Sequence, residues 1–328
     1  MLVSVVVPVY NSEGSLPLLA ERLSQALGPG RQLGELILVN DASRDRSWQV
    51  VQELAAAHPW IRGVNLMRNY GQHNALLCGI RLAEYPIIVT MDDDLQTPPE
   101  EIPRMLEKLA EGHDVVYGTP VKETHGLFRD LASLTTKLAL QTTMGAATAR
   151  HVSAFRAFRT HLRDAFAEHS GPNVSIDVLL TWGTRNFDYI RVKNEPRTIG
   201  ISNYTIRKLI VHAINMMTGF STLPLQLASI IGFVFTLFGM LMLVYVIAQY
   251  WIHGGSVPGF PFLASTIAIF SGAQLFALGI IGEYLARMHF RMMNRPTYTV
   301  LSTTEEPVKA AYAGLKGRSR HAVSNSLQ

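Results

Sequence analysis

Val89-Thr90-Met91-Asp92-Asp93-Asp94-Leu95-Gln96 is the point where an apolar run meets three consecutive carboxylates. Pro86-Ile87-Ile88-Val89-Thr90-Met91 is short, apolar and β-rich, and reads as a buried parallel strand. Like charges packed this tightly repel, and a strand terminus by itself gives no reason to hold them. A divalent cation does: Mg2+ or Mn2+ takes oxygen ligands, commonly one or two carboxylates together with substrate phosphates. The position suits a ligand, because open α/β sheets bind outside the carboxyl ends of their strands. A solvated acidic turn ahead of a helix at Pro98-Pro99-Glu100 would carry the same letters, and an Asp-x-Asp pattern alone does not separate the two.

Upstream of this stretch the chain alternates apolar runs with helical periodicity. Residues 2–9 read as a first strand, 15–27 as a helix, 35–40 as a strand and 47–57 as a helix. A strand at 61–67 and a helix at 74–82 follow; beyond the carboxylates, Thr97-Pro98-Pro99-Glu100 opens a helix through 111 and residues 114–118 form a strand. Strands alternating with single helices specify a parallel sheet with right-handed crossovers. Each strand closes on a polar loop, at residues 10–13, 41–45, 68–72 and 92–96, and a parallel sheet gathers such loops on one edge. Base- or ribose-reading acceptors, the cation of Arg68 with its neighbours Gly71 and Gln72, and a metal site would face one crevice, the outline of a nucleoside-diphosphate pocket. For Glu13 or Asp41 taken alone, an ordinary capped turn is the better account. No Gly-x-Gly-x-x-Gly follows the first strand and no P-loop is present, so neither a dinucleotide site of that type nor an NTPase is indicated.

Residues 128–144 form a helical pattern with Arg129, Ser133 and Lys137 at four-residue spacing on one face. Residues 152–159 alternate as a strand carrying Arg156 and Arg159, and 173–182 and 187–192 complete a globular domain. Residues 204–217 set Arg207, Lys208 and His212 against Ile206, Leu209, Ile210 and Ile214, the pattern of a helix lying in a membrane interface.

Composition agrees with membrane segments: 48% of the residues are hydrophobic and 16% charged. From Leu209 to Gly282 there is no Asp, Glu, Lys or Arg. Residues 223–250 and 262–285 are each long enough for a hydrocarbon core of ~30 Å, which takes roughly 20 residues. A tight polar hairpin at 253–259 separates them, Arg207 and Lys208 precede the first, and Arg287, Arg291 and Arg295 follow the second. The positive-inside rule then puts both ends in the cytoplasm and the hairpin outside. The N-terminus lacks the positive start of a signal peptide and runs straight into a strand. After Pro296 the tail is polar and reads as disordered. The net charge of +4 is dispersed and does not point to nucleic acid. The single Cys78 excludes an internal disulfide and a cysteine zinc cluster; it falls in an apolar helical pattern, as a packed thiol does.

Val5-Val6-Val7-Pro8-Val9-Tyr10-Asn11-Ser12-Glu13, Val39-Asn40-Asp41-Ala42-Ser43 and Met91-Asp92-Asp93-Asp94-Leu95-Gln96-Thr97-Pro98-Pro99-Glu100 resemble the motifs of family 2 glycosyltransferases with the GT-A fold. With Ile199-Gly200-Ile201-Ser202-Asn203-Tyr204 and Gly279-Ile280-Ile281-Gly282-Glu283-Tyr284, the chain is similar to the bacterial polyprenyl-phosphate glycosyltransferases, relatives of dolichol-phosphate mannose synthase. That resemblance implies an α/β GT-A domain at 1–200 with a mainly parallel, Rossmann-like sheet. It implies an interfacial helix at 201–220, two transmembrane helices in 221–286 and a cytoplasmic segment and tail at 287–328. It implies an inverting transfer of a hexosyl or pentosyl group from a nucleotide-sugar, a UDP-sugar, to undecaprenyl phosphate in the bacterial inner membrane. The product would serve envelope glycan or lipopolysaccharide modification, and the protein would be a homo-oligomer, a tetramer in the family.

By the same resemblance Asp92, Asp94 and Gln96 hold the metal and donor diphosphate, with Asp92 and Asp93 also on the nucleotide side. Pro8, Tyr10, Glu13 and Asp41 surround the base, Arg129 and Ser133 face the acceptor phosphate, and Arg197 and Ser202 belong to a segment that closes over the site. One departure stands out: relatives carry an Asp-x-Gly-like stretch before the Arg-Ala-aromatic strand, where this chain has Arg150-His151-Val152-Ser153. Asp177 is the nearest substitute carboxylate; a helix-capping or surface role is equally open. The departure keeps an alternative in view, a membrane-tethered nucleotide-sugar-binding protein that is inactive or has a changed acceptor. A processive polysaccharide synthase is disfavoured by the lack of Gln-x-x-Arg-Trp and of further spans. A channel or flippase is disfavoured because no Asp, Glu, Lys or Arg between Leu209 and Gly282 marks an ion path. Gln226, Gln249 and Gln274 are candidates for bridging helices.

Overall fold

The computed structural model of the chain describes residues 1–120, 151–171, 174–195, 223–253, 259–293 and 295–304. It divides into two compact units, Met1–Tyr204 with Arg295–Gln328, and Thr205–Asn294.

In the first unit the order is β1 (Val3–Val9), α1 (Leu16–Leu27), β2 (Leu33–Asn40), α2 (Ser47–Ala57), β3 (Ile61–Leu66), α3 (Gln72–Leu82) and β4 (Ile87–Thr90). A 3-10 turn at Pro99–Glu101 leads into α4 (Ile102–Ala110), then β5 (Val115–Pro120), β6 (Arg156–Arg159), a 3-10 stretch at Thr160–Phe166, α5 (Ile176–Gly183), β7 (Phe187–Val192) and β8 (Val300–Thr303). The eight strands form one sheet in the order β7-β5-β6-β4-β1-β2-β3-β8. The β1–β4, β1–β2, β2–β3 and β5–β7 pairs are parallel; β6 runs antiparallel to β4 and β5, and β8 antiparallel to β3.

Strand alternation explains the layering. Val3, Val5, Val7 and Val9 of β1 face one way and join Leu16, Leu19 and Leu23 of α1, Val51 of α2 and Ile102, Met105 and Leu109 of α4 in one core cluster. Val6, with Ile37 and Val39 of β2, faces the other way, into a cluster with Leu76, Leu77 and Ile80 of α3, Leu179 and Leu180 of α5, and Tyr117 and Phe158. Each such Val or Leu, fully buried, is worth about 1.5–3 kcal/mol. Gly79 lets α3 lie close on β1, since a Cβ there would collide with Val6. Cys78 is a buried thiol, as its pattern predicts.

Two features differ from the sequence expectation. The strand expected over 152–159 covers only Arg156–Arg159, and it inserts between β4 and β5 rather than continuing a simple parallel series. The preceding residues turn instead, with Phe155 N–H donating to Ser153 Oγ at 3.2 Å. The second correction concerns the tail. Residues 295–304 are not disordered: β8 pairs Val64 with Thr303 and Asn65 with Ser302 on the open edge of β3. Met67 N–H donates to Thr299 O (2.9 Å) and Thr304 N–H to Gly63 O (3.0 Å). A four-residue strand carries too short a pattern to be read alone, and the exposed ladder of β3 supplies the order.

The second unit holds α6 (Leu223–His253) and α7 (Phe260–Met292), of 31 and 33 residues. Both contain stretches long and apolar enough to cross a membrane, Leu225–Ile252 and Ile269–Ala286. Phe270 packs between Phe235 and Phe238, with ring centroids 5.6 and 6.5 Å away.

Candidate active site at the carboxyl edge of the sheet

β1, β2, β3 and β4 are parallel, so their following loops share one edge. Hydrogen bonds then tie the four loops to one another. Asp41 follows β2, donates its N–H to Val9 O (2.9 Å) and is 3% exposed. Its carboxylate accepts the N–H groups of Tyr70 (2.7 Å) and Gly71 (2.8 Å) and so shapes the loop after β3. Burial pushes the Asp41 carboxyl above its ordinary value, and the two N–H groups only partly oppose this. Gly71 adopts φ 92°, a left-handed conformation that glycine takes without strain. The next residue, Gln72, opens α3 and donates from Nε2 to Asp92 Oδ1 at 2.6 Å. Asp41, Gly71, Gln72 and Asp92 thus chain the second, third and fourth loops together.

Asp93 ties the fourth loop to the first. Its Oδ2 accepts the Tyr10 N–H (3.2 Å) and the Ser12 hydroxyl (2.5 Å). Burial pushes this carboxyl up; the bonds from Ser12 and Tyr10 oppose it and the neighbouring Asp94 charge adds to it. The bonds of Asp93 go to the chain itself. Glu13 likewise accepts the Arg46 N–H at 2.8 Å and donates its own N–H to Asp45 Oδ2 at 3.3 Å. Burial alone would raise the Asp45 carboxyl, but the Ser47 hydroxyl and the N–H groups of Ser47 and Glu13 hold it below its ordinary value. Pro8 lies buried in β1 opposite Val39, while Tyr10 is exposed. The Arg68 guanidinium stands over the Tyr70 ring, 4.7 Å from its centroid.

Three non-glycine residues on this edge take positive φ: Asn11 (54°), Ala42 (52°) and Leu95 (60°). They fall in the loops after β1, β2 and β4, and such strain concentrates where a loop must hold a fixed shape. Around Leu95, which is buried, Asp94 Oδ1 accepts the Gln96 N–H at 3.1 Å. Asp92, Asp94 and Gln96 are half-buried and offer carboxylate and amide oxygens, the donor set of a hard cation. Among the described residues, no three His, Cys, Asp or Glu side chains gather to enclose a metal by themselves. A partial oxygen shell of this kind fits Mg2+ or Mn2+ completed by diphosphate oxygens.

Asp177 is 7% exposed and lies inside the fold, which rules out a surface role. Its Oδ1 receives Arg156 Nη1 at 2.7 Å and the Tyr117 hydroxyl at 3.1 Å. Arg129, Ser133, Arg150, Arg197 and Ser202, and the segment 204–217, lie outside the described residues. Sequence reasoning missed Ser12 as a partner of Asp93, and it missed Arg22 and Glu195. Arg22 forms ion pairs with Glu100 (2.9 Å) and Glu195 (3.0 Å), two positions that no local pattern links to it.

Comparison with known proteins adds three findings. The profile described as glycosyl transferase family 2 matches residues 4–169. The chain is 38% identical over 308 residues to the undecaprenyl-phosphate 4-deoxy-4-formamido-L-arabinose transferase of Pectobacterium carotovorum subsp. carotovorum (strain PC1), covering 92% of this chain and 93% of that one. It is 36% identical over 303 residues to the protein of the same name from Pseudomonas aeruginosa (strain LESB58), covering 91% and 89%. Among solved structures, glucosyl-3-phosphoglycerate synthase from Mycobacterium tuberculosis, crystallised with Mn2+, UDP-glucose and phosphoglyceric acid, superposes with a TM-score of 0.50 at 18% identity, over 66% of this chain and 77% of that one. At that identity the likeness speaks for the fold.

Proposed function

Because the chain belongs to glycosyl transferase family 2 and is a glycosyltransferase with the GT-A fold, we propose that it transfers a sugar from a UDP-sugar to undecaprenyl phosphate. The observation that carries this reading is the Gln72–Asp92 contact of 2.6 Å, which joins the loop offered to the nucleotide with the carboxylates offered to its diphosphate. The acceptor is supported by the end-to-end similarity to transferases named for undecaprenyl phosphate, which includes the two apolar helices. Their names make a 4-deoxy-4-formamido-L-arabinose donor the first to try.

Asp92, Asp94 and Gln96 would hold Mg2+ or Mn2+, which when bound neutralises charge on the departing diphosphate. The Tyr70-Gly71 loop, shaped by Asp41, and the Arg68 cation line the nucleotide side. An oxygen of the acceptor phosphate attacks the anomeric carbon as the bond to the nucleoside diphosphate breaks, inverting the configuration. A phosphate is already anionic, so no general base is required. Arg129 and Ser133, at four-residue spacing, are assigned to that phosphate, and Arg197 and Ser202 to the segment following Glu195.

Both ends of the α6–α7 segment lead into one sheet: β1 to β7 precede it and β8 follows it. A chain that leaves a folded unit and returns to it crosses a membrane an even number of times. With Arg207, Lys208, Arg287, Arg291 and Arg295 flanking the spans, this supports a cytoplasmic catalytic unit and an external hairpin.

The test is product formation by purified protein from a panel of UDP- and GDP-sugars, undecaprenyl phosphate and Mg2+ or Mn2+, with and without chelator. A lipid-linked sugar formed only with metal supports the reading. Nucleotide-sugar binding without any lipid product would replace it with that of a tethered binding protein.

A further inference from the structure

Behind the carboxylate turn lies a charged pair almost wholly withdrawn from solvent. Arg156 is 1% exposed and is the largest fully buried side chain described; its partner Asp177 is 7% exposed. Arg156 Nη1 and the Tyr117 hydroxyl converge on Asp177 Oδ1, so β6, α5 and β5 meet at one carboxylate oxygen. Burying an ion pair costs as much desolvation as the attraction returns, and a well-packed apolar pair of similar volume is often as stable or more so. The pair is therefore a poor source of stability and a good source of geometry.

That geometry leads back to Asp92 by two routes. Along the sheet, Arg156 is in register with Thr90, the last residue of β4 and two before Asp92. The Thr90 hydroxyl donates to Ala154 O at 2.9 Å, and Arg156 Nε reaches the same oxygen at 3.4 Å. Along the helices, Ile176 N–H, beside Asp177 at the start of α5, donates to His73 Nδ1 at 3.4 Å. His73 is next to Gln72 in α3, and Gln72 holds Asp92 Oδ1. Asp177, Arg156, Thr90, Asp92, Gln72, His73 and Ile176 close a ring. Shifting α5 relative to β6 would move the Gln72 amide relative to the strand that carries Asp92.

We propose that Asp177 and Arg156 are positioning residues for the reaction, setting the distance between α5 and β6 so that Gln72 orients the Asp92 carboxylate toward the bound cation and diphosphate. The proposal rests on the metal-and-diphosphate reading above and names the support of that same site. It gives Asp177 the role of anionic partner to Arg156 in place of a substitute carboxylate facing a substrate.

The experiment compares the full-length, detergent-solubilised protein with Asp177→Asn, with the apolar pair Arg156→Met/Asp177→Leu, with Gln72→Ala, and with Gln72→Ala in each background. Thermal unfolding reports the fold, electron paramagnetic resonance titration reports Mn2+ binding in the presence of UDP, and hydrogen exchange reports mobility of residues 91–96. The apolar pair, made together with Tyr117→Phe so that no buried hydroxyl is left without an acceptor, is expected to keep the unfolding temperature yet lose Mn2+–UDP affinity by at least about tenfold, with faster exchange at 91–96. Adding Gln72→Ala to it should cost little more, because both changes break one ring. Unchanged exchange at 91–96 in a variant that folds overturns the proposal, as do fully additive losses with Gln72→Ala. Wild-type protein that binds no Mn2+–UDP removes the metal reading, while faster exchange in the variants still upholds the positioning role.

Discussion

Glu195 N–H donates to the carbonyl oxygen of Gln96 at 2.8 Å, so the chain leaving β7 is seated on the carboxylate turn. Arg22 of α1 reinforces the seat with bonds to both carboxylates, Glu100 and Glu195. Arg197, assigned to the site by sequence, is two residues further on.

Replacing Arg22 with alanine should cost about 0.5–2 kcal/mol of stability, as two partly exposed ion pairs do, and the loss should shrink in 1 M salt. Burial raises the Glu100 carboxyl, but the Arg22 bonds outweigh it and hold the group below its ordinary value. A depressed carboxyl stabilises the fold above its unfolded value, and the benefit disappears as pH falls through the folded one. The difference in unfolding temperature between wild type and Arg22→Ala should therefore narrow on acidification below about pH 4.

Asp41→Asn separates charge from hydrogen bonding. Its carboxyl is raised by burial, so the folded state binds the extra proton, and this group withdraws stability as pH rises through its folded value. Asparagine removes that dependence but offers an NH2 group where the N–H of Tyr70 or Gly71 needs an acceptor. A net loss of about 1–3 kcal/mol is expected. Urea unfolding should show a larger deficit at acid pH than at pH 8; an equal deficit at both would remove the charge argument.

Cys78 should be silent to maleimide in the native protein. It is buried, and burial pushes its thiol up to about 12, so almost none is thiolate at neutral pH. Single cysteines can then report topology without altering it. Ser256→Cys in the expected hairpin should label in intact cells, and Leu301→Cys, 50% exposed on β8, only after permeabilisation. The opposite pattern would reverse the orientation.

Gly63→Val should detach the returning strand. A Cβ at Gly63 would lie 2.5 Å from Val51 Cγ1 and 2.7 Å from Thr304 Cγ2. Overpacking of that kind costs about 1–3 kcal/mol. Faster hydrogen exchange at Val300–Thr303, with β1 and β2 unchanged, would locate the damage.

Asp94→Asn keeps the acceptor oxygen for Gln96 N–H but removes a charge that the proposed function assigns to the metal and diphosphate. Turnover should fall roughly 10²-fold or more, the equivalent of a few kcal/mol, with the unfolding temperature nearly unchanged. Mutant turnover that matches wild type in saturating Mn2+ would take Asp94 out of the metal set.

The sequence by itself determined the elements whose pattern is local. Ser47–Ala57 matches the sequence expectation residue for residue, β1 to β4 differ by a residue or two at their ends, and the two long apolar helices were legible from composition. Pro98-Pro99-Glu100 and the triple carboxylate were legible as a strand-to-helix junction for the same reason.

Only the tertiary structure decided the pairings between distant segments. β8 joins β3 across the whole apolar segment, β6 slips between β4 and β5, Asp177 meets Arg156, and Arg22 meets Glu195 173 residues away. Periodicity states which face of an element is apolar, but the choice of neighbour depends on which edge, pocket or opposite charge is left open once the other elements have packed. An open strand edge, a buried guanidinium needing an anion and a turn needing a seat are properties of the assembled fold.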